Sequence, residues 1–177
     1  MPIFGDSFRF AVEFELDEDY FGVWMYGRFC YWCAGRRIGD FDLSTSLRDV
    51  LFQLDRIAFF SGERNSNRFS HIPASEVFRL LFNVLYDDGE LVAEGIAEEE
   101  QWARHEIVPA VDIFGGLIGF LVENQSIARV VFSLDPFQEI IEAILEPGEV
   151  DAILDAVRLA LDEIYERERK LEDEPSR

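Results

Sequence analysis

Lysine is nearly missing from this chain. Its 16 basic residues include a single lysine, Lys170, and they face 36 acidic residues, so the formal net charge is −20. A surface this poor in cations is repelled by nucleic-acid phosphates and anionic membranes, which argues against nucleic-acid and membrane binding, and it is attracted to basic proteins. Histidine is scarce too. His71 and His105 are the only two; both lie in polar segments without a neighbouring nucleophile motif and are expected to be exposed. The two cysteines, Cys30 and Cys33, have C-x-x-C spacing. No second pair completes a four-ligand zinc site, and Ala34-Gly35-Arg36-Arg37 reads as a turn rather than the helix that a redox pair opens. On a strand, residues three apart point to opposite faces, so two separate reduced thiols are expected. Long apolar runs are missing as well. The longest uncharged one, Ile113 to Val122, is interrupted by Gly115, Gly116 and Gly119 and falls short of the ~20 residues of a membrane span. Met1 to Phe10 holds Asp6 and no basic cluster ahead of an apolar run, so no secretory leader is expected and the cytoplasm is the expected location.

Motifs for chemistry are equally thin. The sequence contains no phosphate loop, dinucleotide fingerprint, nucleophile elbow or H-E-x-x-H helix. Gly115-Gly116 lacks the Lys-Ser/Thr of a phosphate cradle and reads as a hairpin turn. Neither a cofactor nor a metal is implied.

What is present is material for a core. Apolar residues make up 49% of the 177, and 17 of them are phenylalanine, which excludes a disordered chain and predicts an aromatic-rich interior. The pattern predicts an α+β fold: a mostly antiparallel sheet with about three packed helices and a long C-terminal helix, in one domain over residues 1–171 with a frayed acidic tail at 172–177. Phe8 to Leu16 alternates as a half-buried strand, with Glu13 and Glu15 on the solvent face. Val23 to Cys33 is a second strand, aromatic on both faces, and a short strand follows near Arg37 to Phe41. Leu47, Val50, Leu51, Leu54 and Ile57 make a helical stripe that Thr45 or Ser46 can cap. A second helix is predicted over Ser75 to Tyr86, and a third from Glu149 to Lys170. Strands are predicted at Ile107 to Val111, Leu117 to Glu123 and Ile127 to Leu134. Phe137 to Leu145 fits a helix by periodicity and a strand by pairing with the segment before it.

Two groups of acidic residues are candidate partner-binding sites. One is Glu13, Glu15, Asp17, Glu18 and Asp19; the other holds Asp87, Asp88, Glu98, Glu99 and Glu100, with no basic residue between them. Trp24, within the aromatic set Tyr26, Tyr31 and Trp32, is a candidate contact, since tryptophan and tyrosine anchor interfaces. Stacking of nucleic-acid bases would need a basic surround. Aromatics exposed on the second strand would also suit a homodimer. Two other classes compete. Glu13 and Glu15, ~7 Å apart on one strand face, could work with Asp40 as a carboxylate- or metal-dependent hydrolase. A non-catalytic scaffold subunit is the other.

The order and spacing of one set of residues carries more. Ile3-Phe4-Gly5-Asp6, Phe10-Ala11, Glu13, Trp24, Gly27-Arg28-Phe29-Cys30-Tyr31-Trp32, Gly35, Ile38-Gly39-Asp40 and Thr45-Ser46-Leu47-Arg48-Asp49 together resemble the immunity protein 42 family of bacterial polymorphic toxin systems. The similarity is strongest over residues 3–60; Pro147-Gly148-Glu149 and the closing helix also fit. The resemblance implies a protein that binds and blocks a cognate toxin domain inside the producing cell, with no catalytic residues. It also implies a strand over Phe137 to Leu145. Many toxin domains act on nucleic acids and are basic, and an acidic inhibitor would be steered to such a target.

Overall fold

In a computed structural model, which describes residues 2–86, 102–135 and 139–173, the alternating N-terminal segment becomes strand β2 (Phe10–Leu16). It pairs antiparallel with β1 (Ile3–Gly5) on one side and β3 (Tyr26–Cys33) on the other. β3 also pairs with β4 (Arg36–Ile38) and, near its start, with the two-residue β5 (Thr45–Ser46). Alternation sends Phe10, Val12 and Phe14 to the inner face beside Phe29, Tyr31 and Cys33 of β3, all buried. β3 begins later than the sequence suggests, because Gly22–Trp24 forms a 3-10 turn. β1 and β5 are too short to announce themselves by alternation.

The inner face of this sheet packs on α1 (Leu47–Ala58) and α3 (Glu149–Asp173). α1 buries the expected stripe of Leu47, Val50, Leu51, Leu54 and Ile57, and the Ser46 side chain accepts from the Asp49 amide as its N-cap. α3 buries Val150, Leu154, Val157 and Leu161 and runs through Glu172 and Asp173, which the sequence assigns to the tail. A second antiparallel sheet has the order β6 (Ile118–Glu123), β7 (Ala128–Asp135), β8 (Glu139–Leu145). One face, with Leu121, Val130 and Phe132, joins the main core; the other, with Phe120, Val122 and Val131, is covered by α2 (Ala74–Tyr86). Tyr31 links the two sheets: its ring lies 6.1 Å from that of Phe132, and its hydroxyl donates to the Ile107 carbonyl at 2.9 Å.

Two expectations change here, and an open one is decided. Glu139–Leu145 is the strand that the resemblance implies, not the helix its periodicity favours; Phe137 lies outside the described residues. The register pairs Ala128 with Leu145 and Val130 with Ala143, burying Ala143 and Leu145 while Ile144 stays 56% exposed, a period of two. Ile107 to Val111 is not a strand. Only Glu106 bridges to Phe120, and Pro109, lacking an N–H, bends the chain so that the Val111 amide bonds the Pro109 carbonyl. The turn at Gly115-Gly116 therefore joins a 3-10 turn (Asp112–Phe114) to β6 rather than two strands.

The loops are locked by buried polar side chains that periodicity cannot reveal. Arg64 is fully buried, donating to the Arg104 carbonyl at 2.7 Å and the Ile57 carbonyl at 2.5 Å and pairing with Asp151 of α3. The other oxygen of Asp151 accepts from the Gly62 amide at 2.9 Å. Arg129 of β7 reaches Glu142 at 2.5 Å and the Phe69 and Ile72 carbonyls. His105, expected on the surface, is fully buried instead: Nδ1 bonds the Leu121 carbonyl at 2.8 Å, and burial pushes its pKa down to about 4.

A candidate partner-binding surface

The candidate residues separate into three environments. Glu13 is buried, 5% exposed, although its strand position points it to the outer sheet face. Its carboxylate accepts the Trp32 indole N–H at 2.8 Å and faces Cys30 Sγ at 3.9 Å. Arg37 covers this corner, its guanidinium lying 5.0 Å from the Trp32 ring and 4.8 Å from that of Phe41. Glu13 is thus a satisfied buried carboxylate. Glu15 shares a part-exposed ion pair with Arg28 at 3.6 Å. Asp17 accepts from the Ser44 hydroxyl at 2.6 Å, while Glu18 and Asp19 are open to solvent. Asp87, Asp88, Glu98, Glu99 and Glu100 lie outside the described residues.

Asp17, Glu18, Asp19 and Trp24 share the β2–β3 loop, and the structure adds residues to them that the sequence does not single out. Phe21 and Met25 both adopt left-handed backbone conformations, with φ 54° and 53°, which cost a bulky side chain roughly 1–2 kcal/mol each. Hydrogen bonds hold the loop in that shape. Tyr26 N–H donates to the Tyr20 carbonyl at 2.9 Å, Asp17 N–H to the Tyr26 carbonyl at 3.0 Å and Leu47 N–H to the Met25 carbonyl at 3.1 Å. The Ser46 hydroxyl donates to the Trp24 carbonyl at 3.2 Å. Met25 itself is fully buried and roots the loop in the core. Its neighbours are turned outward: Phe21 is 62% exposed, Trp24 45% and Tyr26 37%.

The exposed rings form a row. Phe21 meets Tyr26 edge-on at 5.9 Å, and Tyr26 lies nearly parallel to Trp24 at 6.5 Å. The Arg48 guanidinium sits 3.7 Å from the Trp24 ring centre, held by Asp49 Oδ1 at 3.0 and 3.1 Å. Phe52, one helical turn after Arg48, continues the row and meets Tyr165 of α3 at 5.7 Å. The end of α3 closes the other side: Tyr20 donates to buried Glu168 at 3.1 Å, and Glu172 lies against Gly22. The only sequence signals for these additions are the i, i+4 spacing of Arg48 and Phe52 and a bulky Phe21 before Gly22.

Among the described residues nothing comparable for catalysis comes together. Cys30 and Cys33 are free and buried, and burial raises both thiols to about 12, far from a reactive thiolate. Asp40 is taken up in a local turn, accepting the Asp42 amide at 3.0 Å, and Glu13 is committed to Trp32. Among the described residues no group of three or more His, Cys, Asp and Glu side chains could hold a metal. An open groove of about 550 Å³ along Val108–Ile118 is apolar apart from Asp112 and the Tyr86–Glu106 hydrogen bond.

A scaffold that offers a rigid, acid-edged aromatic surface has the make-up of a protein built to recognise another protein. The chain belongs to the immunity protein 42 family, whose model matches residues 1–158, and it is accordingly a toxin-neutralising immunity protein. CdiI from Burkholderia dolosa AUO158 is a solved structure similar to it, at 19% identity with a TM-score of 0.70, covering 90% of this chain and 99% of that one. At that identity the likeness speaks to the fold. No curated protein matches the chain. Among the described residues no helix is long and apolar enough to cross a membrane.

Proposed function

We propose that the protein acts in the cytoplasm of the producing cell, binding a basic cognate toxin domain and blocking it without chemistry of its own. The observation that carries this reading is the charge: −20 over the chain, with Glu18 and Asp19 open to solvent beside Asp17. A field of this sign raises the association rate with a basic partner by roughly 10–1,000-fold at low salt. Asp17, Glu18 and Asp19, together with Asp87, Asp88, Glu98, Glu99 and Glu100, supply the steering charge. Glu15 contributes less because Arg28 offsets it. Glu13 supports Trp32 from below and does not itself meet the partner.

The test reverses each acidic group to lysine separately and measures association with the product of the neighbouring gene at two salt concentrations. Slower association at low salt, converging with the unaltered protein at high salt, is expected. Unchanged kinetics for both reversals would remove electrostatic steering from the account.

A further inference from the structure

We infer that the row Phe21–Tyr26–Trp24–Arg48–Phe52 is the docking surface for the toxin, receiving a cationic segment whose arginine or lysine side chains lie on the ring faces between the flanking carboxylates. This rests on the toxin-binding role proposed above and adds its location.

Four features converge on the place. The rings are large, adjacent and 37–62% exposed, whereas other strongly exposed aromatics such as Phe8 and Phe59 sit outside the row. The backbone beneath them carries two left-handed non-glycine residues, Phe21 and Met25, a strain of the kind retained where it serves recognition. Arg48, fixed between Asp49 and Trp24, leaves one indole face covered and the row preorganised, so little side-chain freedom is lost on binding. The edges are mainly acidic: Asp17, Glu18 and Asp19 line the loop, and Glu172 closes the α3 side, where Arg167 is already paired with Glu168. Electron-rich ring faces edged by carboxylates complement a cation, and arginine satisfies both at once by stacking and forked hydrogen bonding.

The C-terminal end of α3 belongs to this construction. The family match ends at residue 158, but α3 continues to Asp173. Its extension supplies Tyr165 against Phe52 and Glu168 to the Tyr20 hydroxyl.

The experiment measures affinity by calorimetry, at a fixed 150 mM salt, between the whole protein and the product of the neighbouring gene. The variants are Trp24→Ala, Phe21→Gly and, as a control, Phe59→Ser, an exposed aromatic at the far end of α1. Phe21→Gly removes an exposed ring and relieves the left-handed strain, so it should unfold at equal or higher urea than the unaltered protein while binding at least 10-fold more weakly. Trp24→Ala should weaken binding at least 100-fold, and Phe59→Ser should not change it. Unaltered protein that binds, with both row variants binding equally well, overturns the location and leaves the toxin-binding role standing. Unaltered protein that does not bind overturns both. A homodimer that dissociates on Trp24→Ala would assign the row to a second copy of this chain and overturn the inference as well.

Discussion

Replacing Asp151 with alanine should remove a large part of the margin of stability, through Arg64. The Arg64 side chain has no exposed surface and Asp151 is 9% exposed, so neither can recruit water once its partner is gone. Breaking such a pair by removing one member costs about 3–5 kcal/mol, most of it the penalty of a stranded charge. The Gly62 amide also loses its acceptor. A domain holds about 5–15 kcal/mol in all; at an m-value of about 2 kcal/mol per molar urea, a 4 kcal/mol loss moves the unfolding midpoint down by about 2 M. Asp151→Asn keeps an acceptor toward Arg64 but turns an amide donor on Gly62, so a smaller loss is expected. The double variant Arg64→Met/Asp151→Leu removes both charges and leaves the Ile57 and Arg104 carbonyls without Arg64. Those cost about 1–3 kcal/mol each. The double change should therefore be clearly less harmful than the sum of the two single changes. Urea unfolding followed by circular dichroism measures all of these. An Asp151→Ala loss below about 1 kcal/mol, or strict additivity in the double variant, would contradict a buried, mutually dependent Arg64–Asp151 pair.

Other expectations follow from buried titratable groups. His105 has its pKa lowered by burial to about 4, against an ordinary 6.5. Its contribution is fully present above pH 6.5 and is lost as pH falls toward 4, so about 2 kcal/mol should vanish between pH 7.5 and 5.0. His105→Asn keeps a donor for the Leu121 carbonyl and cannot titrate, so the difference in urea midpoint between the two proteins should narrow or reverse on acidification. Glu123, whose pKa burial raises, works in the opposite direction but is common to both proteins. Identical pH dependence would show that His105 is not buried as a neutral ring. The thiols give a separate check: Cys30 and Cys33 are fully buried and raised to about 12, so Ellman's reagent at pH 8 should modify them only at the rate of unfolding. Immediate reaction of either would contradict the packing.

The helices were legible because their signal is periodic. α1 and α3 bury the stripes that spacing marks out, and Ser46 caps α1 as a serine before an apolar run should. β2 was legible for the same reason, with a period of two. Periodicity alone left Glu139–Leu145 open, since Ile140, Ile141, Ile144 and Leu145 satisfy both periods in so short a span; the resemblance pointed to the strand, and pairing with β7 makes it one. Ile107–Val111 looked like a strand until Pro109 is considered, which removes a donor where a ladder would need one. The polar interior was the least legible. Nothing local distinguishes Arg64 or His105 from exposed neighbours, because their partners lie on residues up to 87 positions away, as Asp151 does from Arg64.

The candidate surface was half legible. An acidic loop before an aromatic strand drew notice to Asp17, Glu18, Asp19 and Trp24. Their union with Arg48, Phe52 and the end of α3 is a product of the fold, in which α1 starts directly beneath the β2–β3 loop. Glu13 read as a solvent carboxylate because alternation reports the face of a strand and not what lies over it; the cover of Trp32 and Arg37 comes from neighbouring strands.

Toxin neutralisation is read most directly from the residual activity of the cognate toxin domain, recorded as this protein is added in rising molar ratio. Activity should fall linearly and vanish at one protein per toxin, with no further loss on standing, as expected of a blocking partner. Full activity at excess protein would contradict the immunity role, and progressive loss at a small fraction of one equivalent would reveal a catalyst in place of a binder.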